Sequence, residues 1–106
     1  MVVRWSAVAE VRLKGIFDYY LDAAGDKVAM KIAVEIRNAV DSLGTMPLMA
    51  PVENDLTDRE VVFRSLVINR RYKVIYFVED ESVIVVDIWD CHQNPVMLKK
   101  RVAKQP

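Results

Sequence analysis

The stretch Val61–Trp89, VVFRSLVINRRYKVIYFVEDESVIVVDIW, decides the fold. It contains three runs rich in β-branched and aromatic residues, which favour strands. Short polar segments separate the runs, as is typical of hairpin turns. The stretch therefore predicts a three-stranded antiparallel meander. Its predicted strands are Val61–Ile68, Tyr72–Val78 and Val83–Trp89, with turns at Asn69-Arg70 and Glu79–Ser82.

The first half of the chain has helical periodicity instead. Apolar residues recur at spacings of three and four from Ala9 to Ala24 and again from Ala29 to Leu43. Ser6 is the expected N-cap of the first helix. Gly25 is expected to end that helix, and Asp26 to cap the second. So short a connection predicts an antiparallel two-helix hairpin.

Two further segments complete the predicted domain. Val2–Trp5 is short and β-prone, and we expect it to pair with an edge of the meander, since an unpaired strand would dangle. Thr45–Asp58 contains Pro47 and Pro51 and predicts an irregular loop. The order strand, two helices, three strands predicts a single α+β domain over residues 1–106.

Composition limits the classes of function. The formal net charge is zero, which argues against binding to nucleic acid through bulk charge alone. The charge is uneven, however: residues 1–58 carry six Lys or Arg against nine Asp or Glu, and residues 59–106 carry nine against six. The basic half fits either a local basic face or a solvated strand edge with a basic tail.

The apolar runs are far shorter than the ~20 residues of a membrane helix. We expect a cytoplasmic protein that does not contact a membrane.

Two segments resemble the RelE/ParE superfamily of toxins from bacterial type II toxin–antitoxin modules, proteins of the plasmid-stabilisation type. VRWSAVAEVRLKGIFDYY, residues 3–20, is similar to the family's first strand and first helix. RRYKVIYFVEDESVIVVDIWDCHQNP, residues 70–95, is similar to its pattern of R-Y-x-V-I-Y, an acidic turn and a V-x-D strand that runs into a polar loop. The resemblance implies the RelE/ParE-like fold, with the same order of strand, helical hairpin and meander.

The resemblance also implies a function. It implies a toxin that arrests growth and that a cognate antitoxin neutralises. RelE-like members cleave messenger RNA on the ribosome, whereas ParE-like members poison DNA gyrase. Both branches stay open at this point, as does a degenerate, non-toxic module that only binds the antitoxin. No cofactor and no metal are expected, and a homo-oligomer is left open.

A ribonuclease would need groups that move protons and groups that stabilise a charged phosphorane. Arg71 matches the family's strand arginine and could clamp a phosphate. Arg64, on the neighbouring predicted strand, could lie near Arg71 across the sheet. His92 is the third catalytic candidate, because imidazole titrates near neutral pH. The candidates for nucleic-acid or target binding are Arg70, Lys73, Lys99 and Lys100.

Structural roles compete with these assignments. Arg71 could instead pair with Glu60 or Asp87, and Asp87 itself lies mid-strand among apolar residues, so it must be paired or exposed. His92 could be a loop residue with local bonds only. The strand end where histidine-dependent RelE-like nucleases carry their histidine holds Asp90 here. A nuclease and a catalytically silent member are therefore both compatible with the sequence.

Overall fold

The computed structural model describes residues 1–91 and Val102, and within these residues it confirms the predicted α+β order. The strands are β1 (Val2–Trp5), β2 (Arg64–Ile68), β3 (Tyr72–Glu79) and β4 (Ser82–Asp90). The helices are α1 (Ala7–Ala24) and α2 (Asp26–Asp41), with short 3-10 turns at Ser42–Gly44 and Asn54–Leu56.

The four strands form one sheet in the order β1-β4-β3-β2. β2, β3 and β4 are antiparallel neighbours, as the meander requires. β1 pairs in parallel with β4, opposite Ser82–Val85. A parallel pair needs a long crossover connection, and here the helical hairpin lies between the two strands in sequence. The prediction that β1 pairs with an edge of the meander is thus confirmed.

Two predicted boundaries are wrong. β2 begins at Arg64 and not at Val61, because the carbonyl of Phe63 already accepts a hydrogen bond from the amide of Glu53 in the preceding loop. Asp26 is the first residue of α2 and not its cap. Gly25 takes the cap position with a φ of 92°, a left-handed value that glycine adopts without steric cost.

Both turns of the meander use left-handed backbone. Asn69 and Arg70 have φ values of 53° and 57°, and Asp80 and Glu81 have values of 49° and 60°. Two successive positive φ values are the type I′ geometry, whose twist matches that of the flanking strands. The first turn fixes the register of β2 against β3, and therefore fixes which side chains lie opposite each other.

Apolar clusters cover both faces of the central strands. The helices pack on one face, where the cluster includes Leu13, Ile36, Tyr72, Val74, Tyr76 and Val85. Residues from the long loop and Val102 cover the other face, where the cluster includes Leu56, Phe63, Ile75, Phe77, Val86 and Trp89. Strands buried on both faces have nearly continuous apolar sequence, which explains the uninterrupted runs in β3 and β4. No helix in the described part of the chain is long and apolar enough to span a membrane.

A β-bulge in β4 interrupts the ladder at Val86. Tyr76 lies opposite Val85 and Ile75 lies opposite Asp87, so Val86 is the extra residue.

Ser6 ties the start of α1 to this bulge. Its hydroxyl donates a 3.1 Å hydrogen bond to the carbonyl of Val86 and accepts one of 3.0 Å from the amide of Ala9. Its own amide donates to the carbonyl of Val85 at 2.9 Å. Ser6 is therefore the predicted N-cap, and it also joins helix and sheet.

We predict that Ser6→Ala lowers the free energy of unfolding by about 2 kcal/mol, about half from the lost cap and half from the lost bond to the bulge. Urea denaturation measures the change. Ser42→Ala is the matched control, because the exposed Ser42 hydroxyl bonds only to the nearby Ala39 carbonyl, and it should change stability by less than about 0.5 kcal/mol. Equal losses in the two variants would contradict the anchoring role of Ser6.

Candidate functional site

The predicted catalytic arginines lie at opposite ends of the β2–β3 hairpin. Arg64 pairs with Tyr76, whereas Arg71 lies just before the first residue of β3. At about 3.3 Å per strand residue, the two positions are roughly 15 Å apart along the hairpin. The prediction that Arg64 lies near Arg71 is therefore wrong, because the turn at Asn69 and Arg70 leaves Arg71 at the turn end of the hairpin and Arg64 at its far end.

Arg64 has a structural contact. Its Nη1 atom donates a 2.8 Å hydrogen bond to the carbonyl of Ala50, and its backbone forms a bridge with Val52. These contacts hold the long loop against the edge of β2. A role of Arg64 in catalysis remains a prediction.

Arg71 lies on the helix-bearing side of the sheet. Its guanidinium is 5.5 Å from the ring centre of Tyr72 and 6.0 Å from that of Tyr20 in α1. Its Nη2 atom is 3.6 Å from an Oδ atom of Asp90, so Asp90 is the observed partner and neither Glu60 nor Asp87 is. The electrostatic contact with Tyr72 is the largest cause that raises the pKa of Arg71. The guanidinium is thus charged at any working pH.

Asp87 is fully buried and paired, as its position among apolar residues requires. Its Oδ1 atom accepts a 2.8 Å hydrogen bond from the amide of Ile88 and lies 3.5 Å from Nε of Arg12 in α1. The sequence did not single out Arg12, because a charged residue in an amphipathic helix normally belongs to its solvated face.

Lys73 is held in a tight ion pair. Its Nζ atom donates to the two carboxylate oxygens of Glu53 at 2.6 and 3.2 Å, and Glu53 is only 3% exposed. An anionic guest would have to compete with this carboxylate for Lys73. Arg70 is exposed in its turn, and its role in target binding remains a prediction. His92, Lys99 and Lys100 lie outside the described residues.

One groove brings two arginines together. A cavity of about 480 Å³ lies between α1 and the adjoining ends of β3 and β4. We call it the α1 groove, and its lining residues are Val11, Arg12, Gly15, Ile16 and Tyr19 from α1, with Arg71, Tyr72, Ile88 and Asp90 opposite. Arg12, Gly15 and Tyr19 recur at helical spacing, so they share a face of α1. A glycine inside a helical pattern was the sequence signal that could have found the groove.

Tyr72 and Cys91, at this end of the sheet, are poorly suited to proton transfer near neutral pH. Burial is the main cause that raises the pKa of Tyr72, and a 3.3 Å hydrogen bond to the Tyr20 hydroxyl adds to it. Burial also raises the pKa of the Cys91 thiol, which makes it a weak nucleophile. The α1 groove thus has the chemistry of a binding site, with fixed cations and apolar walls.

The four-stranded sheet with a helical hairpin on one face, and basic side chains held at its edge, defines the α+β architecture of small bacterial toxins of the RelE/ParE type. The family model for the ParE toxin of the type II toxin–antitoxin system parDE matches residues 3–95. The chain belongs to this family. The resemblance in the sequence is therefore confirmed.

One solved structure agrees with this fold. The chromosomal ParDE toxin–antitoxin system from P. aeruginosa is similar to this chain with a TM-score of 0.72 and 20% sequence identity, over 85% of this chain and 95% of that one. The conserved hypothetical protein HP0894 from Helicobacter pylori matches with a TM-score of 0.41 and 14% identity, over 88% of this chain and 97% of its own. No curated protein matches the chain in sequence.

We predict that Lys73→Met lowers the free energy of unfolding by about 2–3 kcal/mol, because it leaves the buried Glu53 carboxylate without its cation. Adding Glu53→Gln to Lys73→Met should restore part of the loss. Chemical denaturation of the three proteins measures both effects.

The matched control is Lys14→Met. Lys14 pairs with Asp18 one turn along α1, and both side chains are more than half exposed. Such a pair contributes only about 0.3–0.5 kcal/mol. If Lys73→Met were no more destabilising than Lys14→Met, the ion pair with Glu53 would not be structural, and Lys73 would return as a candidate for target binding.

Proposed function

We propose that the chain is the toxin of a type II toxin–antitoxin module, that it arrests growth by inhibiting DNA gyrase, and that a cognate antitoxin neutralises it. The observation that carries the proposal is the match of the ParE toxin family model to residues 3–95. Within the superfamily resemblance, ParE-like members are the branch that poisons gyrase.

The positions of the basic side chains support gyrase inhibition over cleavage of messenger RNA. A ribonuclease must bring its proton-transfer groups and its charge-stabilising groups to one phosphate. Here Arg64 binds the Ala50 carbonyl, Lys73 binds Glu53, and Arg71 lies beside α1. These separate contacts support gyrase inhibition over a phosphate site shared by the three cations.

The exposed outer edge of β2 supports the proposal that the chain binds a protein partner. The amide of Ser65 donates to the carbonyl of Pro51 at 3.1 Å, so the loop covers the start of this edge. Val67 lies two residues further along, with the same edge orientation, and half of it is exposed. Open strand edges invite pairing with another chain, and an antitoxin segment would cover this one.

A non-toxic module that only binds the antitoxin is the second candidate function. It would keep the same exposed edge and would lack any effect on gyrase. The two candidates differ only in activity, so an activity measurement decides between them.

Purified chain, made by cell-free synthesis to avoid its toxicity, should inhibit supercoiling of relaxed plasmid by DNA gyrase in a dose-dependent manner. Primer extension on messenger RNA translated in its presence should show no ribosome-dependent cuts. The heat-unfolded chain is the control in both assays. Cuts with unimpaired gyrase would establish the RelE-like mechanism, and neither effect would establish the non-toxic module.

We further predict that His92→Gln arrests bacterial growth as strongly as the unmodified chain, because gyrase inhibition requires no proton transfer from this imidazole. Growth curves after induction, normalised to the amount of folded protein, measure the effect. Loss of arrest at an equal amount of folded protein would support the catalytic role first assigned to His92.

A further inference from the structure

Gly15 lies where a glycine destabilises the helix, and no contact within the chain requires a glycine there. It lies in the middle of α1, where glycine is the least favourable residue after proline. A Cβ atom added there would meet no atom within 4 Å, and its φ is not in the left-handed region. The packing of this chain therefore does not require a glycine at this position. What the glycine does is leave the floor of the α1 groove open.

The two arginines of the groove contact their carboxylates at long distances. Nε of Arg12 lies 3.5 Å from Asp87, and the Arg12 side chain is 44% exposed, so its guanidinium can be reached from the groove. Arg71 approaches Asp90 at 3.6 Å, and within residues 1–91 and Val102 its buried Nε has no hydrogen-bond partner. Both contacts are longer than the 2.7–2.9 Å typical of a charged hydrogen bond. The carboxylates thus position the guanidinium groups without saturating them.

The walls of the groove are apolar and partly exposed. Val11 and Tyr19 are 64% and 58% exposed on the rim, and Ile16 and Ile88 line the interior. The volume of about 480 Å³ lies within the range of ligand sites. A matching ligand has a negative group next to an apolar one.

We propose that the α1 groove binds a short peptide segment of a protein partner, in which an acidic side chain is followed by an apolar one. The carboxylate pairs with Arg12 and Arg71, and the peptide backbone lies over Gly15, where a side chain would block it. The antitoxin is the expected source of the segment, and that step alone rests on the proposed function.

A peptide fits this site better than a nucleic acid. The groove contains Asp90 beside Arg71, and the buried Asp87 stands behind Arg12, so the four charges sum to zero. Asp90 repels every anion, but it repels a single carboxylate flanked by apolar groups less than a polyanion with a charge on every phosphate.

The test is an NMR titration of the purified chain with the capped peptide acetyl-Leu-Glu-Leu-Phe-amide. We expect saturable shifts at the Gly15 amide and at the Nε–H groups of Arg12 and Arg71. The same peptide with glutamine in place of glutamate should bind about 10-fold more weakly, since one charged hydrogen-bonded pair is lost. Inorganic phosphate and a short single-stranded RNA are the competing probes.

Variants separate binding from folding. Gly15→Leu fills the groove while it improves the helix, so its melting temperature should equal or exceed that of the unmodified chain and peptide binding should be lost. Arg12→Gln and Arg71→Gln should each weaken binding about 10-fold. Arg37→Gln is the matched control, because Arg37 lies on α2 outside the groove, where it pairs with Glu10.

Three results would overturn the proposal: equal binding of the peptide to the Gly15→Leu variant, equal binding of the glutamine peptide, or tighter binding of RNA or phosphate in the groove. The gyrase assay keeps the two proposals distinct. A chain that binds the peptide through the groove and leaves gyrase unimpaired refutes the proposed function and supports the groove.

Discussion

The burial of β3 and β4 on both faces is the constraint on which the rest of the structure depends. A strand pair with two apolar faces must be covered twice, and the helices cover one face while the long loop and Val102 cover the other. Every polar group that enters this sandwich needs a partner, because an unpaired buried polar group is costly. The Tyr76 hydroxyl donates to the carbonyl of Pro47 at 2.8 Å for this reason, and Lys73 and Glu53 neutralise each other. Polar side chains that remain accessible to a ligand therefore lie at the margins of the sheet.

This confinement explains why Arg64 and Lys73, two basic residues of the described meander, do not form a basic face. Arg64 lies on the edge strand and Lys73 on a covered strand, and their cationic groups bind a loop carbonyl and a loop carboxylate. Both contacts attach the segment between the helices and the meander to the sheet. Arg64 and Lys73, which are candidate site residues in the sequence, thus hold the long loop against the sheet. The formal net charge of zero argues against binding to nucleic acid through bulk charge alone.

Periodicity was sufficient to predict the elements and their order, and the need to cover a strand edge was sufficient to predict the pairing of β1. Periodicity was not sufficient to predict which residues of β2 and β3 lie opposite each other. Arg64 and Arg71 are on neighbouring segments, but the position of the turn separates them along the hairpin. The type I′ turn at Asn69 and Arg70 sets which residues face each other, and neither residue is the glycine that usually marks such a turn. The contact between Arg12 and Asp87 was not predicted, because it forms only where α1 packs over β4 near the bulge at Val86. Such a contact depends on tertiary structure and leaves no trace in local sequence.

The lengths of the ion pairs separate two uses of charge in this domain. Nζ of Lys73 lies 2.6 Å from Oε1 of Glu53, which is the distance of a fully formed charged hydrogen bond. The contacts of Arg12 and Arg71 are 3.5 and 3.6 Å long and border a groove whose floor is an otherwise unexplained glycine. The tightest pair is therefore on the loop-covered face of the sheet, whereas two longer pairs and a mid-helix glycine occur together at the α1 groove. Sequences that specify a fold well tend to break local rules where a partner completes the structure. The α1 groove is the place in the described chain where a mid-helix glycine lies beside two long ion pairs.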